Sequence, residues 1–173
     1  EMLKKIEASR PMDEEEAEKI SKIVGLSAVK YGDLSNQASK DYVFDVERFT
    51  SFEGNTGPYI LYTIVRTKSI LGKYKEEGNE LKKGALLAPK SDSEKALMLS
   101  VSRFNGVVEK APHKICAYIY ELANEFNHFY HETKILSEQD EARKASYLAL
   151  LDLVREVLET CIDLLGFSAP ERM

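Results

Sequence analysis

The chain has 173 residues, of which 43% are hydrophobic, and a net charge of −5, which suits one globular domain with a single core. The acidic balance, with a pI near 5.4, argues against DNA binding and other sequence-independent binding to phosphates, because such binding needs a basic surface. An acidic body can still carry a local basic stripe.

No uninterrupted apolar stretch reaches the length of about 18 residues that a membrane span needs, and no signal peptide is visible. The two cysteines, Cys116 and Cys161, lie inside apolar helical patterns, as expected of reduced, buried thiols. We therefore expect a cytoplasmic protein. The chain begins with Glu1 instead of Met, which is simply explained if it is part of a longer protein.

Hydrophobic periodicity predicts a first helix from Met12 to about Leu34, with Asp13 as its N-cap and Gly25 as a weak point or break in its middle. Residues 41–46 then alternate with period two. Because no partner strand is available, we predict an extended loop packed on the helices.

A second long helix is predicted over residues 57–77, where Asn55 or Thr56 can cap and Pro58 suits the first turn. A loop over residues 78–93 follows, because glycine, proline and serine interrupt the apolar pattern there. A short helix then opens at Ser93.

The next helix is predicted from His113 to about Leu136, with Pro112 in its first turn. The last runs from Ser137, which opens a Ser-x-x-Asp capping pattern, to about Leu165, and Gly166 ends it. These patterns predict an all-α helical bundle of about five helices with one extended irregular segment.

No catalytic or metal-binding motif is recognised in the sequence. His128 and His131 are three residues apart on one predicted helix, but the zinc motif with a glutamate between two histidines is missing. Hydrogen-bonding histidines on a polar face are therefore the favoured interpretation. A Gly-x-Ser-x-Gly elbow, a cysteine beside a histidine and a glycine-rich phosphate loop are also missing, so we expect no catalytic residue, metal or cofactor in this chain.

Two polar helix faces are candidates for RNA binding. Tyr59, Tyr62 and Arg66 share one face at positions i, i+3 and i+7, and two rings with a guanidinium can stack on unpaired bases. The second face offers amide donors and acceptors that suit base edges. It carries Tyr120, Asn124, Asn127, His128 and His131, followed by Lys134. Composition alone favours the ordinary interpretation of both faces, as solvent-exposed helix surface and the aromatic rim of a core.

Several stretches resemble, in the same order, the C-terminal region of arginyl-tRNA synthetases. The stretches are residues 24–35, 41–45, 52–62, 111–115, 122–123, 126–130 and 164–167 and the ending Glu171-Arg172-Met173. They cover nearly the whole chain, and their joint occurrence argues against chance.

The resemblance implies the anticodon-binding domain of a class I ligase that charges arginine tRNA, using ATP with Mg²⁺ in its catalytic domain. The His-x-Gly-His motif and the Lys-Met-Ser-Lys-type loop of that domain are missing here, so this chain alone should be inactive. Residues 1–35 would form the helix leading from the absent catalytic domain, packed on the bundle. Residues 36–173 would form the anticodon-binding helical domain.

The resemblance also implies the partners, which are the anticodon loop of arginine tRNA and the protein's own catalytic domain. Recognition of a cytosine as the second anticodon base is implied as well. Together with the second polar face, the resemblance gives the expected tRNA-binding residues Tyr59, Tyr62, Arg66, Lys73, Asn124, Asn127, Tyr130, Lys134 and Met173. The loop over residues 78–93 corresponds to one implicated in ordering the anticodon.

The chain departs from the family pattern at two points. Gly72 stands where some relatives have an arginine, with Lys73 beside it. The connection before Pro112 is shorter than usual, so we predict a break or a disordered loop near Glu109 and Lys110.

The sequence leaves two rival hypotheses about function. One is a helical protein–protein interaction module without RNA binding, which would expose a large apolar patch. The other is an anticodon domain from a different class I synthetase, against which the Arg-Met ending and the Phe-Glu-Gly-Asn-Thr run argue.

Overall fold

The computed structural model describes Met2, Leu3, Ile6 and residues 13–173. Within residues 13–173 the structure contains six α-helices, a single 3-10 turn and no strand, which confirms the all-α prediction. The helices are α1 (Glu14–Leu34), α2 (Val46–Phe49), α3 (Gly57–Glu76), α4 (Asp92–Ser102), α5 (Pro112–Glu132) and α6 (Glu141–Leu164), with the 3-10 turn at Phe104–Gly106.

Helix α1 begins as its capping residue predicts. The carboxylate of Asp13 accepts a hydrogen bond from the backbone N–H of Glu16 at 2.8 Å, and the predicted start at Met12 lies outside the described residues. The predicted break at Gly25 is wrong, because α1 is continuous. One glycine costs a helix only about 1 kcal/mol relative to alanine, and burial of one face of α1 offsets that cost.

The extended segment is shorter and more exposed than its alternating pattern predicts. Residues 41–45 lack regular structure, but the next four residues form the single turn of α2. The carboxylate of Asp45 caps it by accepting from the N–H of Arg48 at 3.0 Å. Of this stretch, Phe49 is buried, and its ring lies where a side chain at Gly32 would be, 1.7 Å from an added Cβ.

Helix α3 begins where predicted, and Thr56 is the candidate that caps it. Its hydroxyl accepts a hydrogen bond from the N–H of Tyr59 at 3.2 Å. Gly57 lies so close to α1 that an added Cβ would be 2.3 Å from the backbone oxygen of Ser27. The glycine therefore permits the close crossing of α1 and α3.

Helix α4 begins slightly before its predicted start at Ser93. The hydroxyl of Ser91 accepts from the N–H of Glu94 at 3.1 Å, and the carboxylate of Glu94 accepts from the N–H of Lys90 at 2.7 Å. This reciprocal arrangement resembles a capping box and satisfies two backbone donors at the helix start.

The stretch near Glu109 and Lys110, where a break or a disordered loop is predicted, forms turns in the structure. The N–H of Val107 donates to the oxygen of Phe104 at 2.9 Å, and the N–H of Lys110 donates to the oxygen of Val107 at 2.9 Å. Two consecutive turns thus connect α4 with Pro112, and a break in the chain at this point stays a prediction.

The boundary between the last two helices differs from the prediction. Helix α5 ends four residues before the predicted Leu136, and Ser137 is not the cap of α6. That cap is Asp140, whose carboxylate accepts from the N–H groups of Ala142 at 2.9 Å and Arg143 at 3.2 Å. A carboxylate directly at the helix start also complements the helix dipole.

The predicted stop at Gly166 is confirmed. Its φ is +79°, its N–H donates to the oxygen of Asp163 at 2.9 Å, and the N–H of Phe167 donates to the oxygen of Ile162 at 3.0 Å. These two bonds form a Schellman motif, for which a left-handed glycine is favoured.

The core is centred on α3, which packs against α1, α5 and α6, while α4 packs mainly against α5. Both cysteines are buried, free thiols, as predicted. Burial raises the pKa of Cys116 and of Cys161 to about 12. Among the helices of the described residues, none is long and apolar enough to cross a membrane.

Candidate nucleic-acid interface

A groove of about 490 Å³ lies between α3 and α5, beside the turn that leads into α3. Its lining combines aromatic, amide and charged side chains. They are Phe52, Glu53, Tyr59, Tyr62, Arg66, Asn127 and His131.

The turn before α3 positions the aromatic side chains of the groove. Gly54 has a φ of +78°, and the hydroxyl of Thr56 donates to the oxygen of Ser51 at 2.6 Å. The buried hydroxyl of Tyr31 lies 2.6 Å from Oδ1 of Asn55. The turn is therefore fastened both to itself and to α1, and Tyr59 leaves α3 in a fixed direction.

Arg66 lies between two aromatic rings. Its Cζ is 4.6 Å from the ring centroid of Tyr62 and 5.1 Å from that of Tyr130. Its Nη1 donates to Oδ1 of Asn127 at 2.5 Å, and its Nη2 donates to the hydroxyl of Tyr62 at 2.9 Å. Among the described residues no carboxylate forms an ion pair with Arg66, so its positive charge is available to an incoming anion.

Tyr59 connects the two helices through hydrogen bonds. Its hydroxyl donates to Oδ1 of Asn124 at 2.8 Å and accepts from Nδ2 of Asn127 at 2.9 Å. Its ring meets the edge of Tyr120 at a centroid distance of 5.8 Å. Burial raises the pKa of Tyr59, so its hydroxyl is protonated and able to donate at neutral pH.

Six of the nine predicted binding residues meet in one cluster, which we call the α3–α5 cluster. Its members are Tyr59, Tyr62, Arg66, Asn124, Asn127 and Tyr130. The cluster can stack planar groups on its rings and donate hydrogen bonds from a guanidinium and from amides.

Two predicted lysines lie outside the α3–α5 cluster. Lys73 is exposed on the same face of α3 as Arg66, but about two turns, or roughly 10 Å, further along the axis. Lys134 is exposed beyond the end of α5. The described contacts connect neither side chain with the cluster. At Gly72 an added Cβ would meet no atom within 4 Å.

The chain end is anchored on a different side of α3. Lys68 Nζ donates to Glu171 Oε1 at 2.8 Å, and Lys68 lies about 200° around the helix from Arg66 because the two are two residues apart. Met173 is partly buried against the core. No described contact links Met173 with the α3–α5 cluster, and its role in binding stays a prediction.

Some groove residues escape prediction from the sequence. Thr63 is fully buried beneath the groove, where it accepts from Nδ2 of Asn127 at 3.3 Å, and its position four residues after Tyr59 is a signal that would have found it. Phe52 and Glu53 line the groove from the preceding turn. No periodic signal marks them, because they precede the helix.

The histidines do not assemble a metal site in the part of the chain that is described, where no group of three potential ligands is found. His128 lies 3.6 Å from Glu132 one turn away on α5. His131 lines the groove and meets the ring of Tyr130 edge-on at 5.8 Å.

Comparison with known proteins finds a matching family model and similar relatives. Residues 60–173 match the model of the DALR anticodon binding domain. The whole chain is 60% identical to part of the arginine–tRNA ligase of Agathobacter rectalis, and 98% of it is 54% identical to part of the arginine–tRNA ligase of Alkaliphilus oremlandii. The chain spans 31% and 30% of the lengths of these two relatives.

Two solved structures share the fold. An arginyl-tRNA synthetase from Thermus thermophilus superposes with a TM-score of 0.81 and 28% identity, covering 99% of this chain and 31% of that one. An arginyl-tRNA synthetase from Plasmodium falciparum gives a TM-score of 0.75 and 28% identity, covering 91% of this chain and 28% of that one.

Proposed function

We propose a function from the premise that this chain belongs to the DALR anticodon binding domain family. The groove between α3 and α5 binds the anticodon loop of a tRNA. The relatives that match the chain are arginine–tRNA ligases, which makes arginine tRNA the expected partner. Family membership supports this function and gives no support to the protein-interaction alternative.

The observation that carries the proposal is the stack of Tyr62, Arg66 and Tyr130. The guanidinium carbon of Arg66 lies 4.6 Å from the ring centroid of Tyr62 and 5.1 Å from that of Tyr130, and Tyr62 and Arg66 line the open groove. Unpaired anticodon bases have the same planar shape, and each base stacked on an aromatic side chain contributes about 1–3 kcal/mol. A chain with a net charge of −5 needs such contacts, because its overall electrostatics do not favour RNA.

The activity of the whole protein lies beyond this chain. We propose that the remaining part of the polypeptide carries out arginylation with ATP and Mg²⁺, as in the ligases to which the chain is similar. This domain then holds the anticodon loop so that the acceptor end of the tRNA reaches the catalytic part. Recognition of a cytosine as the second anticodon base is part of the same proposal, and residues 1–35 as a separate lead-in unit remain a prediction.

An exposed apolar surface supports contact with the catalytic part. Leu26 and Val29 are exposed on one face of α1, and Val43 is 85% exposed. The hydroxyl of Tyr42 donates to Asp33 Oδ1 at 2.9 Å, which fixes the apolar segment beside that face of α1. We expect backbone amides around Val43 to exchange hydrogen more slowly in the full-length ligase than in this chain; equal exchange would contradict the contact.

Fluorescence anisotropy with a labelled arginine anticodon stem–loop tests the binding function. Tyr62→Ala should weaken binding roughly 5- to 100-fold, because it removes one stacking surface worth about 1–3 kcal/mol. Tyr42→Ala is the matched control, since Tyr42 is 40% exposed and Tyr62 is 41% exposed, but Tyr42 lies outside the groove. Its binding should stay within about 2-fold of the wild type.

A second titration replaces the second anticodon base. Weaker binding of the altered stem–loop supports recognition of that base. Equal binding would limit the groove to backbone and stacking contacts, and equal loss in Tyr62→Ala and Tyr42→Ala would contradict a site in this groove.

A further inference from the structure

Asn127 differs from the other amide of the groove in how completely its hydrogen-bonding groups are used. Its Oδ1 accepts from Arg66 Nη1 at 2.5 Å. Its Nδ2 donates to the hydroxyl of Tyr59 at 2.9 Å and to Oγ1 of Thr63 at 3.3 Å. A carboxamide has two N–H donors, and both are occupied within the protein.

Asn124 lies one turn earlier on α5 and has the opposite character. It is exposed, its Oδ1 accepts from the hydroxyl of Tyr59 at 2.8 Å, and no described residue accepts a hydrogen bond from its Nδ2. Because Asn124 is exposed, its two N–H donors are available to an acceptor on a ligand.

The four side chains form one directional series of hydrogen bonds. Arg66 donates to Asn127, Asn127 donates to Tyr59, and Tyr59 donates to Asn124. Such a series is cooperative, because each donor polarises the next. Asn127 is the member that bridges α3 and α5 at the guanidinium.

We propose that Asn127 is a positioning residue that does not itself contact RNA. It holds the guanidinium of Arg66 between the rings of Tyr62 and Tyr130 and fixes the direction of the Tyr59 hydroxyl. The binding contacts of this face are then made by the rings, by Arg66 and by the exposed end of the series, Asn124. This inference rests on the proposed anticodon-binding function for its RNA arm only.

The geometric arm of the test uses NMR of the guanidinium groups in the isotopically labelled 173-residue chain without RNA. The Arg66 signal, assigned by its loss in Arg66→Lys, should be displaced by the ring currents of Tyr62 and Tyr130. Asn127→Ala should move it back towards the signals of exposed arginines. Asn127→Asp should leave it displaced, because the carboxylate still accepts from Arg66, and Asn124→Ala should also leave it displaced.

An unmoved Arg66 signal in a folded Asn127→Ala variant would overturn the proposal. Circular dichroism establishes folding, and if Asn127→Ala does not fold, Asn127→Ser replaces it with a side chain too short to bridge the helices. This arm is independent of RNA, so it stands even if the chain binds no stem–loop and the proposed function fails.

The binding arm is a mutant cycle with the anticodon stem–loop. Asn127→Ala alone should weaken binding about 10-fold, the size expected for one hydrogen bond to a charged group. In a chain that already carries Arg66→Ala and Tyr59→Phe, Asn127→Ala should weaken binding by less than about 2-fold, because the guanidinium and the hydroxyl that Asn127 positions are already absent.

Asn124→Ala is the matched control in that cycle. Its effect should be equal in the wild type and in Arg66→Ala alone, because Arg66 makes no hydrogen bond to Asn124 and the amide donors of Asn124 act directly. Tyr59→Phe is left out of this comparison, since it removes the hydrogen bond that Asn124 accepts from the Tyr59 hydroxyl. A full 10-fold loss from Asn127→Ala in the doubly substituted background would show that Asn127 contacts RNA itself, and the positioning role would be abandoned.

Discussion

Arg66 and Lys68 are two cations on the same helix, two residues apart, and the fold gives them opposite surroundings. Arg66 faces α5 and is held by two rings and an amide. Lys68 faces α6 and the chain end, with Nζ 3.0 Å from Glu159 and 2.8 Å from Glu171. The carboxylates of Glu159 and Glu171 neutralise the charge of Lys68. The rings and the amide around Arg66 hold its guanidinium in place and leave its charge unpaired.

The difference shows how a helix in an acidic protein can still present a binding site for an anion. An ion pair with carboxylates stabilises the fold but leaves nothing for a ligand. Rings and neutral amides fix a guanidinium through its faces and N–H groups while preserving its charge. Both faces of α3 carry a cation. The binding face differs from the structural face because its cation, Arg66, contacts rings and an amide, whereas Lys68 contacts carboxylates.

The largest effect is expected on the free energy of unfolding, from a change that displaces α3 and with it the faces of Arg66 and Lys68. Gly57→Ala places a Cβ 2.3 Å from the backbone oxygen of Ser27, and overpacking against backbone should lower the free energy of unfolding by about 3 kcal/mol. Urea denaturation measures this. Gly72→Ala is the control on the same helix, where an added Cβ meets nothing within 4 Å and helix propensity predicts stabilisation by about 0.5–1 kcal/mol.

Equal stability of the two glycine variants would mean that α1 and α3 do not cross closely at Gly57. The close packing of α1 on α3 would then not be what holds α3, with its two faces, in place.

The second prediction separates the two cations by binding. Arg66→Ala should weaken anticodon stem–loop binding about 10- to 100-fold, because charge-assisted hydrogen bonds are worth about 1.5–3 kcal/mol. Lys68→Ala should change binding by less than about 2-fold, since an ion-paired lysine on the opposite side of α3 offers the ligand no free charge. Anisotropy titrations at one fixed salt concentration compare them, and comparable losses in both variants would contradict the assignment of the faces.

The smallest effect concerns the pH dependence of stability. Burial alone would lower the pKa of Lys68, but the hydrogen bonds and charges of Glu171 and Glu159 outweigh it, so the pKa is raised in the folded chain. A raised folded-state pKa stabilises below the unfolded value of about 10.4 and loses that contribution as the pH rises through the folded value. Lys68→Met should cost about 0.5–1 kcal/mol at pH 8.

That cost should shrink above about pH 10.4, where the wild-type lysine starts to lose its charge in the unfolded chain. Urea denaturation of both chains from pH 8 to pH 11 measures the difference. A cost that stays constant across this range would assign the effect to lost packing of the side chain and not to its ion pairs.

Much of the fold follows from local sequence signals. Asp13, Thr56 and Gly166 act as the caps or stops that their residue types predict, because capping depends on a few neighbouring backbone groups. Ser137 failed as a cap since Asp140, three residues later, offers a carboxylate at the true start of α6. Serine and aspartate are both good capping residues, so the local sequence alone does not decide which of the two begins the helix.

The candidate site was predicted in part for a similar reason. Helical spacing places Tyr59, Tyr62 and Arg66 on one face, and the same rule places Asn124 and Asn127 together on another helix. Periodicity contains no information about which two faces meet. The spacing of Lys73 fits the face of Arg66 equally well, yet Lys73 lies beyond the end of the described cluster.

The sequence by itself determined the helices, their caps and the chemistry on each helix face, because these depend on residues within one or two turns of each other. Only the tertiary structure decided that α3 and α5 bring Arg66 between Tyr62 and Tyr130, that Asn127 is fully occupied while Asn124 is open, and that Lys68 is neutralised by the chain end. These outcomes depend on how helices distant in sequence pack around one core, and packing is a property of the whole chain.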